Sequence, residues 1–261
     1  MASVVSASLM KSLFSRQNIS DCYFQFVNSF PNHMRGYADL FRDKSGVEIG
    51  GPSKVFYRRL PVYQRARSID GVNFSENTVW EGSIRAGHTY TYWKSKVGRQ
   101  FIDEAADLKS VPSDTYDFFL SSNCLEHIAN PLSALYEWKR VIKIGGIGVI
   151  LVPNKHANFD HRRPYTAFNH LIEDFNRQTK ENDLTHIPEI FSLHDLSMDP
   201  AAGSFEKFCQ RSVENFANRC LHHHVFSLEL LRTSVEFCGF KVIHAMSTKT
   251  DHWVFVSRQA H

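Results

Sequence analysis

The sequence predicts an α/β fold. The expected architecture is a three-layer sandwich whose mostly parallel, seven-stranded sheet ends in an antiparallel edge hairpin, with a helical and loop insertion after strand five. Three observations predict it. Strand and helix patterns alternate from Val47 onward, as parallel strands joined by crossover helices require. The run YDFFLSS (116–122) is apolar on both faces, the signature of a central parallel strand. FKVIHAM and HWVFVSR, near the end of the chain, stand too close together for a crossover helix and must pair antiparallel.

The elements follow in order. Residues 1–45 read as a helical segment, SASLMKSLFSRQ and then PNHMRGYADLFRDKSG, with Gly46 as the stop signal. VEIG (47–50) is the first strand and RSIDG (67–71) the second, ending on an acid. Between them Pro61 interrupts KVFYRRLPVYQRA and leaves room only for short helix. Residues 72–99 mix aromatic and polar side chains without a clear period, and QFIDEAADL (100–108) contains the third strand. PLSALYEWKRVIK (131–143) is a helix: Leu132, Leu135, Trp138, Val141 and Ile142 fall on one stripe, Pro131 suits its first turn, and Gly145-Gly146 end it. GVILVP (148–153) is the fifth strand. A polar stretch with helical pieces but no strand signal occupies about 154–224, and SLELLRTSVEFCG (227–239) is a further helix closed by glycine. The organisation expected is one domain over 46–261, carrying its insertion at about 154–224.

Composition narrows the function. A hydrophobic content of 43% and a charged content of 22% describe a globular chain, and a net charge of +3 lacks the concentrated basic face of a nucleic-acid binder. No run approaches the ~20 apolar residues of a membrane span. The N-terminal MASVVSASLMKSLFSRQ has some transit-peptide character, but an amphipathic first helix is the preferred reading. Five scattered cysteines without a C-x-x-C fit reduced thiols in a cytoplasmic protein.

The string SDTYDFFLSSNCLEHIANPLSALYEWKRVIKIGGIGVILVPN (113–154) resembles the central block of class I S-adenosylmethionine-dependent methyltransferases, a Rossmann-like superfamily. Asp117, Leu125-Glu126-His127, Pro131, Arg140-Val141 and Gly145-Gly146 match it in order and spacing. The tail FSLELLRTSVEFCGFKVIHAM resembles the family's last helix and sixth strand, so the likeness covers roughly 46–153 and 224–258.

The resemblance implies S-adenosyl-L-methionine as cofactor and a set of residues to hold it. Glu48, Gly50 and Gly51 keep the acid and first glycine of the family's turn after strand one, while Pro52 departs from it and stiffens the path. Such a turn lets backbone lie against the cofactor's methionine and ribose. Asp70 is implied for the ribose hydroxyls, Asp107 for the adenine amino group, and Leu108 for a ring nitrogen through its backbone. Ser122 and Asn123 end strand four at the carboxyl edge, where open α/β sheets bind ligands. His127 is the attractive general base, catalytic in some members of the family and structural in many.

The insertion concentrates His, Asp, Arg and aromatic residues, and two readings of it stay open. In the first it is a substrate lid: Arg162 and Arg163 clamp a phosphate or carboxylate, and His161, a second candidate for catalysis, contacts hydroxyls with His194, Asp195 and His223. In the second, His186, Glu189, His194, Asp195 and the 222–224 triplet hold a metal, although their spacing is not that of a familiar site. The first, which assigns no metal, is preferred. The expected activity is O- or N-methylation of a small polar acceptor, most naturally a sugar or glycan hydroxyl. Phrases of the insertion also resemble methyltransferase-like proteins linked to polysaccharide modification. The alternatives are a non-catalytic binding protein on the same fold, suggested by the altered glycine turn, and a metal-dependent sugar-modifying enzyme. The sequence leaves oligomeric state open.

Overall fold

The computed structural model describes residues 32–260, so the expected helix in SASLMKSLFSRQ lies outside the described residues. A 3₁₀ helix, Asn32–Phe41, leads into β1 (Ser45–Ile49), and Gly46, expected as a helix stop, belongs to this strand. Two single-turn helices, α1 (Val55–Arg58) and α2 (Val62–Arg65), flank Pro61 and lead to β2 (Ser68–Asn73). A small separate hairpin, β3 (Asn77–Thr78) and β4 (Gly82–Ser83), precedes β5 (Gly87–Trp93) and β6 (Lys96–Ile102). Then come β7 (Tyr116–Ser122), α3 (Pro131–Val141) and β8 (Ile142–Pro153).

The insertion carries α4 (Phe168–Arg177), α5 (Ile187–Leu193), α6 (Phe205–Val213) and α7 (Asn215–Asn218). The chain closes with α8 (Leu228–Phe237), β9 (Phe240–Ser247) and β10 (Asp251–Arg258). No helix among the described residues is long and apolar enough to cross a membrane.

The main sheet has eight strands, one more than expected, in the order β5-β6-β2-β1-β7-β8-β10-β9. The five strands β6, β2, β1, β7 and β8 run parallel, and β10 lies antiparallel between β8 and the edge strand β9. The extra strand is β5, antiparallel to β6 at the other edge. Only Tyr90 and Tyr92 of its seven residues are buried, on one face of an otherwise polar edge strand.

Side-chain alternation feeds two cores. Phe119 of β7 packs with Val47, Trp138 and Leu231 on the face covered by α3 and α8. Its neighbour Phe118 packs with Phe41, Phe56 and Phe255 on the other. Helix α3 begins with the Asn130 side chain accepting from Ser133 N at 3.1 Å and Pro131 in the first turn. It stops at Val141, and Gly145-Gly146 fall inside β8, where the register with β7 slips. The insertion builds a satellite core of Ile190, Ala202, Phe208 and Leu221.

Candidate active site

The carboxyl ends of β1, β2, β6 and β7 open into a cavity of about 350 Å³, a volume suited to a small molecule. Ile49 and Gly50, Val72 and Asn73, Asp103, and Asn123 supply its floor. The insertion roofs it with Phe159, Glu181, Asp199, Arg211, Arg219 and His222.

The turn after β1 is held from below. Glu48 is fully buried and accepts from Tyr63 Oη at 2.5 Å, Tyr90 Oη at 2.8 Å and Ser53 N at 2.9 Å. Burial pushes its carboxyl up to about 7, against the pull of those donors. Gly50 adopts φ +79° and lines the cavity with backbone alone. A Cβ on Gly51 would lie 2.3 Å from the Glu48 carboxyl and 2.5 Å from Tyr90 Oη. The next peptide, Gly51–Pro52, is cis.

Several expected cofactor residues sit elsewhere. Glu48 faces its three donors and not the cavity. Asp70 lies mid-strand, accepting from Tyr116 Oη at 2.7 Å and Arg99 N at 2.7 Å, because β2 runs on three residues further to Asn73. Asn73 takes the strand-end position, donating to Gly51 O at 3.0 Å and accepting from Trp80 Nε1 at 3.1 Å. Strand β6 likewise ends at Ile102, so Asp103 reaches the cavity; its oxygens accept from Ser110 N at 2.9 Å and Ser110 Oγ at 3.1 Å. Asp107 follows in a turn behind it, and Leu108 is buried in the core. Ser122 ends β7 without lining the cavity, whereas Asn123, at φ +50°, does line it.

The histidines separate sharply. His127 lines the cavity; its Nδ1 donates to Leu221 O at 2.9 Å, and burial lowers its pKa to about 3, leaving the ring neutral. Its ring meets that of His222 edge-on, with centroids 4.6 Å apart. His222, buried and also lining the cavity, holds Asp160 Oδ2 at 2.5 Å through Nδ1. Burial opposes charging of this ring, but the Asp160 carboxylate outweighs it and raises the pKa above the ordinary value. Burial also opposes the Asp160 charge, yet His222 and Arg163 keep that carboxyl at about 2. An aspartate on Nδ1 leaves Nε2 as the acceptor, the tautomer a general base needs.

The other expected lid residues pair within the insertion. His161 and Arg162 share Asp195 Oδ2, at 2.9 and 2.8 Å, away from the cavity. Arg163 is buried and spent on Asp160 Oδ1 at 3.0 Å, Glu189 Oε1 at 2.7 Å and the carbonyls of His222 and His223. His194 lies between the rings of Phe159 and Phe208 with Nε2 3.2 Å from Asp199. His223 meets Asn215 at 3.1 Å. Sequence reasoning missed Arg219, which ties the roof to the end of β6 through Glu104 Oε1 at 2.8 Å and to Glu181 Oε2 at 2.8 Å. Of the suggested metal set, Glu189, His194 and Asp195 are each engaged elsewhere, whereas His186 and His224 lie together.

Residues 48–150 match the sequence family described as "Methyltransferase domain". Comparison with curated proteins finds no match. Among solved structures, an S-adenosylmethionine-dependent methyltransferase from Mesorhizobium loti is similar at 12% identity and TM-score 0.51, covering 87% of this chain and 96% of its own. A putative methyltransferase of Haloferax volcanii, solved with its Trm112 activator, aligns at 12% identity and TM-score 0.49 over 96% and 97%. A putative S-adenosylmethionine-dependent methyltransferase of Listeria monocytogenes aligns at 14% and 0.48 over 87% and 97%. The chain thus shares the Rossmann-like fold of the Mesorhizobium loti structure, and residues 48–150 carry the sequence pattern of the methyltransferase domain.

Proposed function

We propose that the chain is an S-adenosylmethionine-dependent methyltransferase acting on a hydroxyl of a small polar acceptor, a sugar or glycan by preference, with His222 as general base. One observation carries the reading: a cavity at the carboxyl edge of the sheet is roofed by an insertion that presents an aspartate-held histidine to it. The floor suits the cofactor. Gly50 offers backbone without a side chain, and Asn73 and Asp103 stand at adjacent strand ends as polar partners for ribose and adenine. Bound there, S-adenosylmethionine would supply an electrophilic methyl group.

The residues of the chain do the rest. Nε2 of His222 takes the acceptor's proton while Asp160 stabilises the resulting imidazolium. His127, held neutral and tied to Leu221 O, packs the base into one orientation. Glu181, Asp199 and Arg211 place polar groups around a hydroxyl-rich acceptor. Calorimetry with S-adenosylhomocysteine tests the cofactor half: it binds the wild type, binds His222→Gln equally, and binds Asp103→Ala weakly. No binding at high micromolar ligand rejects the reading in favour of a non-catalytic relative.

A second reading rests on Glu126. Both its carboxyl oxygens are buried without a hydrogen-bond partner, and its ligand atom, with those of His127 and His222, falls within 4.8 Å of the others. A divalent cation held there would activate the hydroxyl in place of a base. Activity that survives exhaustive chelation excludes it.

A further inference from the structure

A different group of residues, outside the cavity, has the geometry of a metal centre. His170 and Asp174 lie one turn apart on α4, His186 immediately precedes α5, and His224 belongs to the segment leading to α8. One ligand atom from each lies within 4.8 Å of all the others. His170 Nε2 is 3.3 Å from His186 Nε2 and 3.3 Å from Asp174 Oδ2, and His224 Nε2 is 3.7 Å from the same oxygen. A tetrahedron with zinc–ligand bonds of about 2.0–2.1 Å has edges of about 3.3–3.4 Å. The three rings stand steeply to one another, at 79°, 62° and 81°, as they would around a common centre.

Hydrogen bonding alone leaves this cluster poorly satisfied. A single proton on His170 Nε2 can serve His186 or Asp174, not both. Asp174 Oδ2 is buried without a hydrogen-bond partner, although Thr179 Oγ1 donates to Oδ1 at 3.0 Å and fixes the carboxylate. His224 Nε2 approaches Ala129 O only at 3.3 Å, long for such a bond.

We propose that His170, Asp174, His186 and His224 bind one zinc ion in a closed, structural site. Four protein ligands complete a tetrahedral shell and leave no position for substrate. The ion joins three segments of the insertion that roofs the cavity. His186 also falls in a three-residue group with Asp183 and His223, but that group offers one ligand fewer.

The test is elemental analysis of the full chain after zinc loading and dialysis, with the wild type beside His170→Ala, His186→Ala and Glu126→Gln. The expected result is one zinc per chain in the wild type and in Glu126→Gln, with at least a tenfold loss in both histidine variants. Cobalt substituted into the wild type should show the intense visible bands of four-coordination, a readout that does not depend on any variant folding. Zinc-free wild-type protein with intact circular dichroism overturns the proposal. So does retention of the metal by His170→Ala, loss confined to Glu126→Gln, or a weak six-coordinate cobalt spectrum. None of these readouts uses methyl transfer, so failure here leaves the proposed activity standing, and the converse holds.

Discussion

Replacing Glu48 by Gln should change how stability depends on pH more than it changes stability at any one pH. The carboxyl is fully buried, and burial raises it from the ordinary 4.5 to about 7. An acid raised in the native state binds more protons folded than unfolded, so its contribution to stability is lost as pH rises from 4.5 through about 7. The full shift is worth about 3 kcal/mol, and the part falling between about pH 5.5 and about pH 8 is about 2 kcal/mol. Glutamine removes that titration. Whatever the amide costs among Tyr63, Tyr90 and Ser53 is the same at both pH values and cancels from the difference. Urea unfolding at the two pH values should therefore show Glu48→Gln gaining about 2 kcal/mol on the wild type as pH rises. The other buried carboxyls titrate alike in both proteins and do not contribute. Parallel stability curves would refute the reasoning, because they would mean that the hydroxyl donors hold Glu48 near its ordinary pKa.

Asp160→Asn should move the acidic limb of the kcat/KM profile to lower pH, since Asp160 is what raises His222; a limb that stays in place removes His222 as the base. Arg163→Ala should cost about 3–5 kcal/mol in urea unfolding, because it removes one of the two partners of the buried Asp160 carboxylate and leaves Oδ1 and the carbonyls of His222 and His223 without a donor, and Arg163→Lys should recover little of it. A loss below about 1 kcal/mol would place that pair among surface contacts.

The parallel core was legible because each of its elements carries a local signature. The both-face apolarity of β7 and the stripe of α3 need no knowledge of the rest of the chain. Strand ends were harder. In SIDGVN the dipeptide Asp70-Gly71 reads as a turn, yet the strand continues because Gly71 leaves room for the Tyr90 ring, which a Cβ would meet at 2.2 Å. That information lies in β5, another strand, and the displacement put Asp70 where Asn73 stands. QFIDEAADL has acids at 103, 104 and 107, and only the strand end decides which faces the cavity. In the insertion, residue type showed that polar chemistry was present but not which groups pair. Arg163 read as a clamp from its sequence context but lies buried against Asp160, whereas Arg219 passed unnoticed and joins the roof to Glu104.

The three consecutive histidines at 222–224 divide their attention: the first turns to Asp160 and the cavity, the second to Asn215, the third to Asp174 and its neighbours. Two peptide units span at most about 7 Å, so the backbone has little slack between the first ring and the third. Fixing residue 224 therefore restricts where residue 222 can stand. The triplet works as a short lever, and the occupancy of the cluster at one end sets how firmly the ring at the other end is aimed.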